Sequence, residues 1–210
     1  MAGYDAAMDK RRVLQCLAGG ALLSTTPVWL AACSEAGPTF TAIDITGADY
    51  ARDFNLTDHN GQTRSLKDFR GKIVMMFFGY TQCPDVCPTS MVEMATIKQL
   101  LGKDGDRLQC LFVTIDPERD TAEMLKAYME NFDPGFLALV PKPGDLPALA
   151  KEYKVYYKKV DGPTPTSYTM DHTAGSYVYD TQGRLRLFTR YGTPSEKTAA
   201  DIRVLLKQAG

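Results

Sequence analysis

Lys72-Ile-Val-Met-Met-Phe-Phe-Gly-Tyr80-Thr-Gln-Cys83-Pro-Asp-Val-Cys87-Pro88 joins an apolar run to a pair of cysteines. Ile73 to Tyr80 is apolar without alternation, as expected for a strand buried on both faces of a parallel or mixed sheet. Pro88 suits the first turn of a helix, in which Met91, Met94, Ile97, Leu100 and Leu101 recur at three- and four-residue intervals before the helix-ending Gly102. A buried central strand therefore delivers two thiols to the start of a helix. Cys87 precedes a proline and is biased away from helical angles, so both cysteines are expected in the loop that the helix caps. Helical spacing accounts for the methionines as core residues without a methionine-rich copper site.

Toward the C-terminus, Leu108 to Ile115 reads as a second apolar strand, with Cys110 as a small, inert, buried hydrophobe. Asp116-Pro-Glu-Arg-Asp120-Thr-Ala-Glu123 turns into a helix, with Asp120 and Glu123 spaced as an N-cap and its capping-box partner. Phe136 to Val140 is a short strand, and Asp145 opens a helix that runs to about Tyr157. Val160 to Met170 carries Gly162, Pro163, Pro165, Thr166 and Ser167 and reads as a polar loop without regular structure. Thr173 to Tyr179 and Leu185 to Arg190 form a hairpin around Asp180-Thr-Gln-Gly183, and Thr193-Pro194-Ser-Glu196 opens a final helix to about Gln208.

Toward the N-terminus, residues 54–66 alternate around Asp58-His-Asn-Gly61 and suggest a further hairpin, with His59 solvated in its turn. The order β, α, β, α, β, α, β, β, α gives an α/β fold with a mixed central sheet. Residues 1–32 read as a lipoprotein-type signal peptide: Lys10-Arg11-Arg12 is a positive n-region, and Val13 to Leu30 is largely apolar but interrupted by Gly, Ser, Thr and Pro. Leu30-Ala31-Ala32-Cys33 resembles a bacterial lipobox, which makes Cys33 a candidate lipid attachment and membrane anchor. Arg11-Arg12-Val13-Leu14 faintly resembles a twin-arginine signal. Residues 33–47 read as a tether and 48–210 as the folded domain.

Composition narrows the function. With 210 residues, 44% hydrophobic and 23% charged, one globular core is expected, and a net charge of −1 without a basic block argues against nucleic acid as a partner. Loss of residues 1–32 removes Cys16 and leaves Cys83, Cys87 and Cys110 as the thiols of the domain, too few for a disulfide scaffold.

The pair Cys83 and Cys87 can close a disulfide, shuttle electrons or hold a soft metal. A structural staple is disfavoured by its place, since the loop it closes is only a few residues long. A helix N-terminus favours the thiolate, which is both nucleophile and metal ligand. Two thiolates and an imidazole suit Cu(I), and also Cu(II); His172 can supply the imidazole, whereas zinc normally takes four protein ligands. Asp85 and Asp171 are placed to orient ligands or simply to be solvated.

Four blocks carry a family resemblance: Gly79-Tyr-Thr-Gln-Cys83-Pro-Asp-Val-Cys87-Pro88, Asp116-Pro-Glu-Arg-Asp-Thr121, Tyr153-Lys-Val-Tyr-Tyr157 and Asp171-His172-Thr173. In this order and spacing the chain, from about Asp44 onward, resembles the Sco/SenC family of cytochrome c oxidase assembly proteins. The resemblance implies a thioredoxin-like fold with the N-terminal hairpin as an extension, and copper held by Cys83, Cys87 and His172. It further implies an extracytoplasmic protein, on the periplasmic side, that delivers copper to the binuclear site of oxidase subunit II. The alternative it leaves open is a thiol-disulfide oxidoreductase that keeps the subunit II cysteines reduced, with Cys83 and Cys87 catalytic. Other extracytoplasmic copper carriers or thiol reductants are the further partners implied.

Overall fold

The computed structural model describes residues 39–142, 144–164 and 167–208; the expected signal segment, Cys16 and the lipid-attachment candidate Cys33 lie outside them. Along the described chain run β1 (Ile43–Asp44), β2 (Leu56–Asp58), β3 (Thr63–Arg64), β4 (Ile73–Gly79), α1 (Val86–Leu100), β5 (Leu108–Thr114) and α2 (Ala122–Glu130). There follow β6 (Leu137–Val140), α3 (Leu146–Glu152), β7 (Tyr157–Asp161), β8 (Tyr168–His172), β9 (Gly175–Tyr179), β10 (Leu185–Arg190) and α4 (Ser195–Lys207).

Eight strands form one sheet in the order β1-β10-β9-β4-β5-β6-β2-β3. β4 pairs parallel with β5, from Ile73 opposite Leu108 to Gly79 opposite Thr114, and antiparallel with β9. Every residue of β4 and β5 is buried, which explains why neither alternates. Alternate side chains of β4 serve two layers. Met75 meets Ser90 and Ile97 of α1 and Thr198 of α4 around a small cavity, while Phe78 on the opposite face packs on Tyr153 just after α3, ring centroids 5.0 Å apart. Met91 and Met94 are buried in the core, as their helical spacing requires.

The β2–β3 hairpin forms around Asp58, whose buried carboxylate accepts the N–H groups of Asn60 and Gln62 and pairs with Arg64 at 2.8 Å. The hairpin joins the main sheet through β6 rather than standing apart from it. His59 corrects the expectation of a solvated side chain: it is half-buried, and its Nδ1 accepts the Ala138 N–H at 3.1 Å, because pairing of β2 with β6 draws the turn against the sheet edge. Ile43–Asp44, inside the stretch read as a tether, pairs with Phe188 and Leu187, and the Thr41 and Ala42 N–H groups bond to the buried Asp201 carboxylate of α4.

Two boundaries also differ. α3 ends at Glu152 rather than near Tyr157, because Lys154 takes a left-handed φ of 53° that stops the helix. The stretch 160–170 is not an irregular loop: β7 and β8 form a two-stranded sheet with Asp161 opposite Tyr168 and Tyr157 opposite His172. Gly162 and Ser167 close its outer end, where the Gly162 N–H bonds to the Ser167 carbonyl at 2.8 Å; Pro165 and Thr166 lie outside the described residues.

Candidate metal centre

The site lies at the C-terminal end of β4. Cys83 is half-buried in the loop after Tyr80, its N–H bonding to the Tyr80 carbonyl at 3.3 Å. Cys87, expected in the same loop, is instead the second residue of α1, with Pro88 third. The first helical positions have no intrahelical acceptor to lose, and the carbonyl a proline ring would strike belongs to Pro84, outside the helix, so the bias against helical angles is overcome. Cys87 is fully buried. It fits because Gly79 lies opposite: a Cβ there would come within 2.9 Å of its Sγ.

His172 ends β8. The base of the β7–β8 hairpin is tied by the Thr173 N–H to the Tyr156 carbonyl and by the Tyr156 N–H to Thr173 Oγ1, each at 2.9 Å. Phe77 and Tyr80 stand nearly perpendicular to the imidazole, with centroids 5.8 and 6.0 Å away. Nδ1 lies 3.0 Å from the Thr173 carbonyl, an acceptor only, so Nδ1 carries the hydrogen and Nε2 the lone pair. That lone pair faces Cys87 Sγ at 3.4 Å. The ligand atoms of Cys83, Cys87 and His172 lie within 4.8 Å of one another, and no fourth Cys, His, Asp or Glu joins the cluster among the described residues.

The thiols are unequal. The Cys87 thiol beside it, with help from the N–H groups of Asp85 and Cys87, holds Cys83 down to about 3 against the opposing effect of burial. The same Cys83 contact and complete burial push Cys87 far up. The contact favours the thiolate on half-buried Cys83, whose Sγ accepts the Cys87 N–H at 3.4 Å, and the protonated form on buried Cys87. Both thiols are free, as is Cys110, which is fully buried in β5 opposite Met75 and whose thiol burial pushes up. Asp85 and Asp171 are exposed.

Other residues shape the site without having been singled out for it. Asp120 is not the cap of α2: Thr121 is, accepting the Met124 N–H through its side chain. A one-residue ambiguity between two good capping types concealed the exchange. Asp120 is buried and accepts the Thr81 N–H, Thr81 Oγ1 at 2.6 Å and Thr114 Oγ1 at 2.6 Å, which fastens the start of the cysteine loop to the end of β5. Burial pushes its carboxyl up, opposed by those bonds. Tyr80 is buried, and its hydroxyl accepts the Met170 N–H of β8 at 3.2 Å. Arg119 and Asp116 contact Tyr168 of the same hairpin.

Such a set, two sulfurs and an imidazole nitrogen with one thiol reachable from solvent, can hold a soft ion while leaving coordination open, or run dithiol–disulfide exchange. The SCO1/SenC family model matches residues 44–207. The SCO2-like protein of Rickettsia felis is 35% identical over 146 residues, covering 69% of this chain and 71% of that one. The copper-bound structure of ScoI from Bradyrhizobium japonicum superposes with a TM-score of 0.66 at 41% identity, over 72% of this chain and 96% of that one. Copper-bound yeast Sco1 gives 0.66 at 27% identity, over 81% and 90%. The fold is thioredoxin-like, a mixed sheet flanked by helices.

Proposed function

The chain belongs to the SCO1/SenC family, and from that premise we propose that it is a copper metallochaperone of cytochrome c oxidase assembly that delivers copper to the binuclear site of subunit II. Its cargo is held by Cys83, Cys87 and His172. The carrying observation is their convergence within 4.8 Å, with the imidazole Nδ1 bonded to backbone so that Nε2 is free to ligate. Copper in the ScoI and yeast Sco1 structures supports the choice of metal.

The residues divide the work. Cys83, already a thiolate, meets the incoming ion first; Cys87 gives up its proton on ligation, so capture releases a proton. Three soft ligands suit Cu(I) and can also hold Cu(II). Cys83 is the ligand a recipient thiolate can reach, so transfer proceeds by stepwise ligand exchange with no bond of a substrate broken. In this reading residues 1–32 export the chain, and a lipid on Cys33 holds it on the outer side of a membrane; among the described residues no helix is long and apolar enough to cross one. Competition titration of the reduced protein with Cu(I) tests the ligand set. His172→Ala is expected to weaken binding sharply, and unchanged affinity together with an unchanged Cu(II) absorption spectrum would sink the proposal.

One observation favours a second reading. A half-buried free thiol beside a fully buried one, with the thiolate favoured on the more exposed Cys83, is the arrangement of an attacking and a resolving cysteine. Cys83 would attack a partner disulfide and Cys87 would displace the mixed disulfide, leaving two reduced thiols on the partner and a Cys83–Cys87 disulfide here. His172 would then be dispensable, and full oxidase activity in cells carrying only His172→Ala supports this reading over the first.

A further inference from the structure

Arg119 stands in the turn between β5 and α2, yet its side chain also meets two other segments. Nε donates to the Asp116 carboxylate. Nη1 donates to Gln82 Oε1 at 3.1 Å, beside Cys83 in the chain, and to the Tyr168 carbonyl at 3.0 Å in β8. The guanidinium carbon lies 3.4 Å from the centroid of the Tyr168 ring, which Lys159 Nζ approaches at 3.8 Å. The Tyr168 hydroxyl donates to Asp116 at 2.8 Å. Only 18% of the Arg119 side chain is exposed, so these contacts are weakly screened. Its Nη2 is buried without an acceptor among the described residues, a desolvation cost that the other contacts must outweigh.

The geometry matters because β7 and β8 are outside the eight-stranded sheet. No ladder bond to that sheet fixes how the hairpin is turned. Tyr156 and Thr173 join its two strands at the base, while the rest of the domain holds β8 at its middle by the Met170 N–H on Tyr80 and at its outer half by Arg119 and Asp116 on Tyr168. Tyr168, Met170 and His172 alternate along β8 and share one face. Without the Tyr168 contacts, the single Met170–Tyr80 bond is left to set the tilt of β8, and the His172 ring shifts with that strand. The adjacent Asp120 fastens the other arm of the site through Thr81.

We propose that Arg119 is a positioning residue for the metal centre, clamping Tyr168 so that His172 Nε2 is held over the two thiols. This rests on the reading of Cys83, Cys87 and His172 as a copper site. Support from a residue that does not itself ligate typically contributes ~10–100-fold in metal affinity.

The test is a double-mutant cycle in the full chain, read by Cu(I) competition and by the Cu(II) electron paramagnetic resonance spectrum. Arg119→Ala is expected to weaken Cu(I) binding by ~10–100-fold and to alter the spectrum as loss of a nitrogen ligand does. In a His172→Ala background the same change is expected to have no further effect. Arg119→Lys, which keeps the charge but not the planar fork, recovers only part of the affinity. Tyr168→Leu removes the clamped ring together with its hydroxyl bond to Asp116, keeps the backbone carbonyl that Arg119 also grips, and is expected to act like Arg119→Ala and not add to it. In metal-free protein, amide exchange at Met170 and Thr173 should quicken in Arg119→Ala and Tyr168→Leu. Equal losses of affinity in both backgrounds, or unchanged exchange and affinity, overturn the proposal. If His172→Ala alone leaves affinity unchanged, the copper reading itself has failed and takes the proposal with it.

Discussion

A methyl group at Gly79 would lie 2.8 Å from the Phe77 ring and 2.9 Å from both Cys87 Sγ and the Phe112 ring. No neighbour there can yield without moving a thiol or a buried aromatic. Gly79→Ala is therefore expected to destabilise the protein by about 1–3 kcal/mol through overpacking and to weaken copper binding, by chemical denaturation and chelator competition respectively. Wild-type values for both would show that Cys87 has room to spare. Cys83 supports a prediction in pH: with its value near 3 against an ordinary 9.0, it stays ionised from pH 5 to 8. Its alkylation by iodoacetamide should be nearly flat across that window, whereas an unperturbed thiol slows about tenfold per pH unit. The folded form binds fewer protons at this group than the unfolded chain between those two values. Stability from Cys83 therefore rises with pH in that window and is lost as pH falls toward 3.

Among the elements, the turn from Asp116 to Asp120 joins the parts of the site that the chain keeps apart. Asp120 links β5 to the loop after β4, and Arg119 links that loop to β8. Asp120→Ala strands three donors, Thr81 N–H, Thr81 Oγ1 and Thr114 Oγ1, and is expected to cost about 2–3 kcal/mol. Asp120→Asn keeps an acceptor oxygen and should cost less; urea denaturation of the two variants checks the order, and equal costs would mean that the charge rather than the bonds is what counts. Nothing in Asp116-Pro-Glu-Arg-Asp-Thr121 taken alone separates these roles from ordinary helix capping, because which of Asp120 and Thr121 caps α2 depends on where β5 ends in space.

For the molecule as a whole, the ordered domain begins before Ala48. Ala42 is buried, β1 borders β10, and buried Asp201 depends on the Thr41 and Ala42 N–H groups. A chain started at Pro38 is expected to be more stable than one started at Ala48 by about 1–3 kcal/mol, since the shorter chain leaves Asp201 without those partners. Equal urea midpoints would restore a tether reaching to residue 47. The short strand escaped a sequence reading because two residues carry no periodicity, and pairing with an edge strand is a tertiary event.

Local chemistry in the sequence determined the strand Ile73–Gly79, the helix carrying Met91 and Met94, and the delivery of two cysteines to the junction between them. Apolar runs, helical spacing and proline or glycine punctuation act over a few residues, so they are legible without a structure. Tertiary structure decided what those thiols face. His172 reaches Cys87 from 85 positions away only because β7 and β8 form a hairpin whose strands were hidden by the Gly, Pro and Ser between them in the sequence. Its tautomer, the unequal thiols and the Arg119 clamp all depend on side-chain directions and burial, which arise when distant backbone segments pack and have no counterpart in residue order.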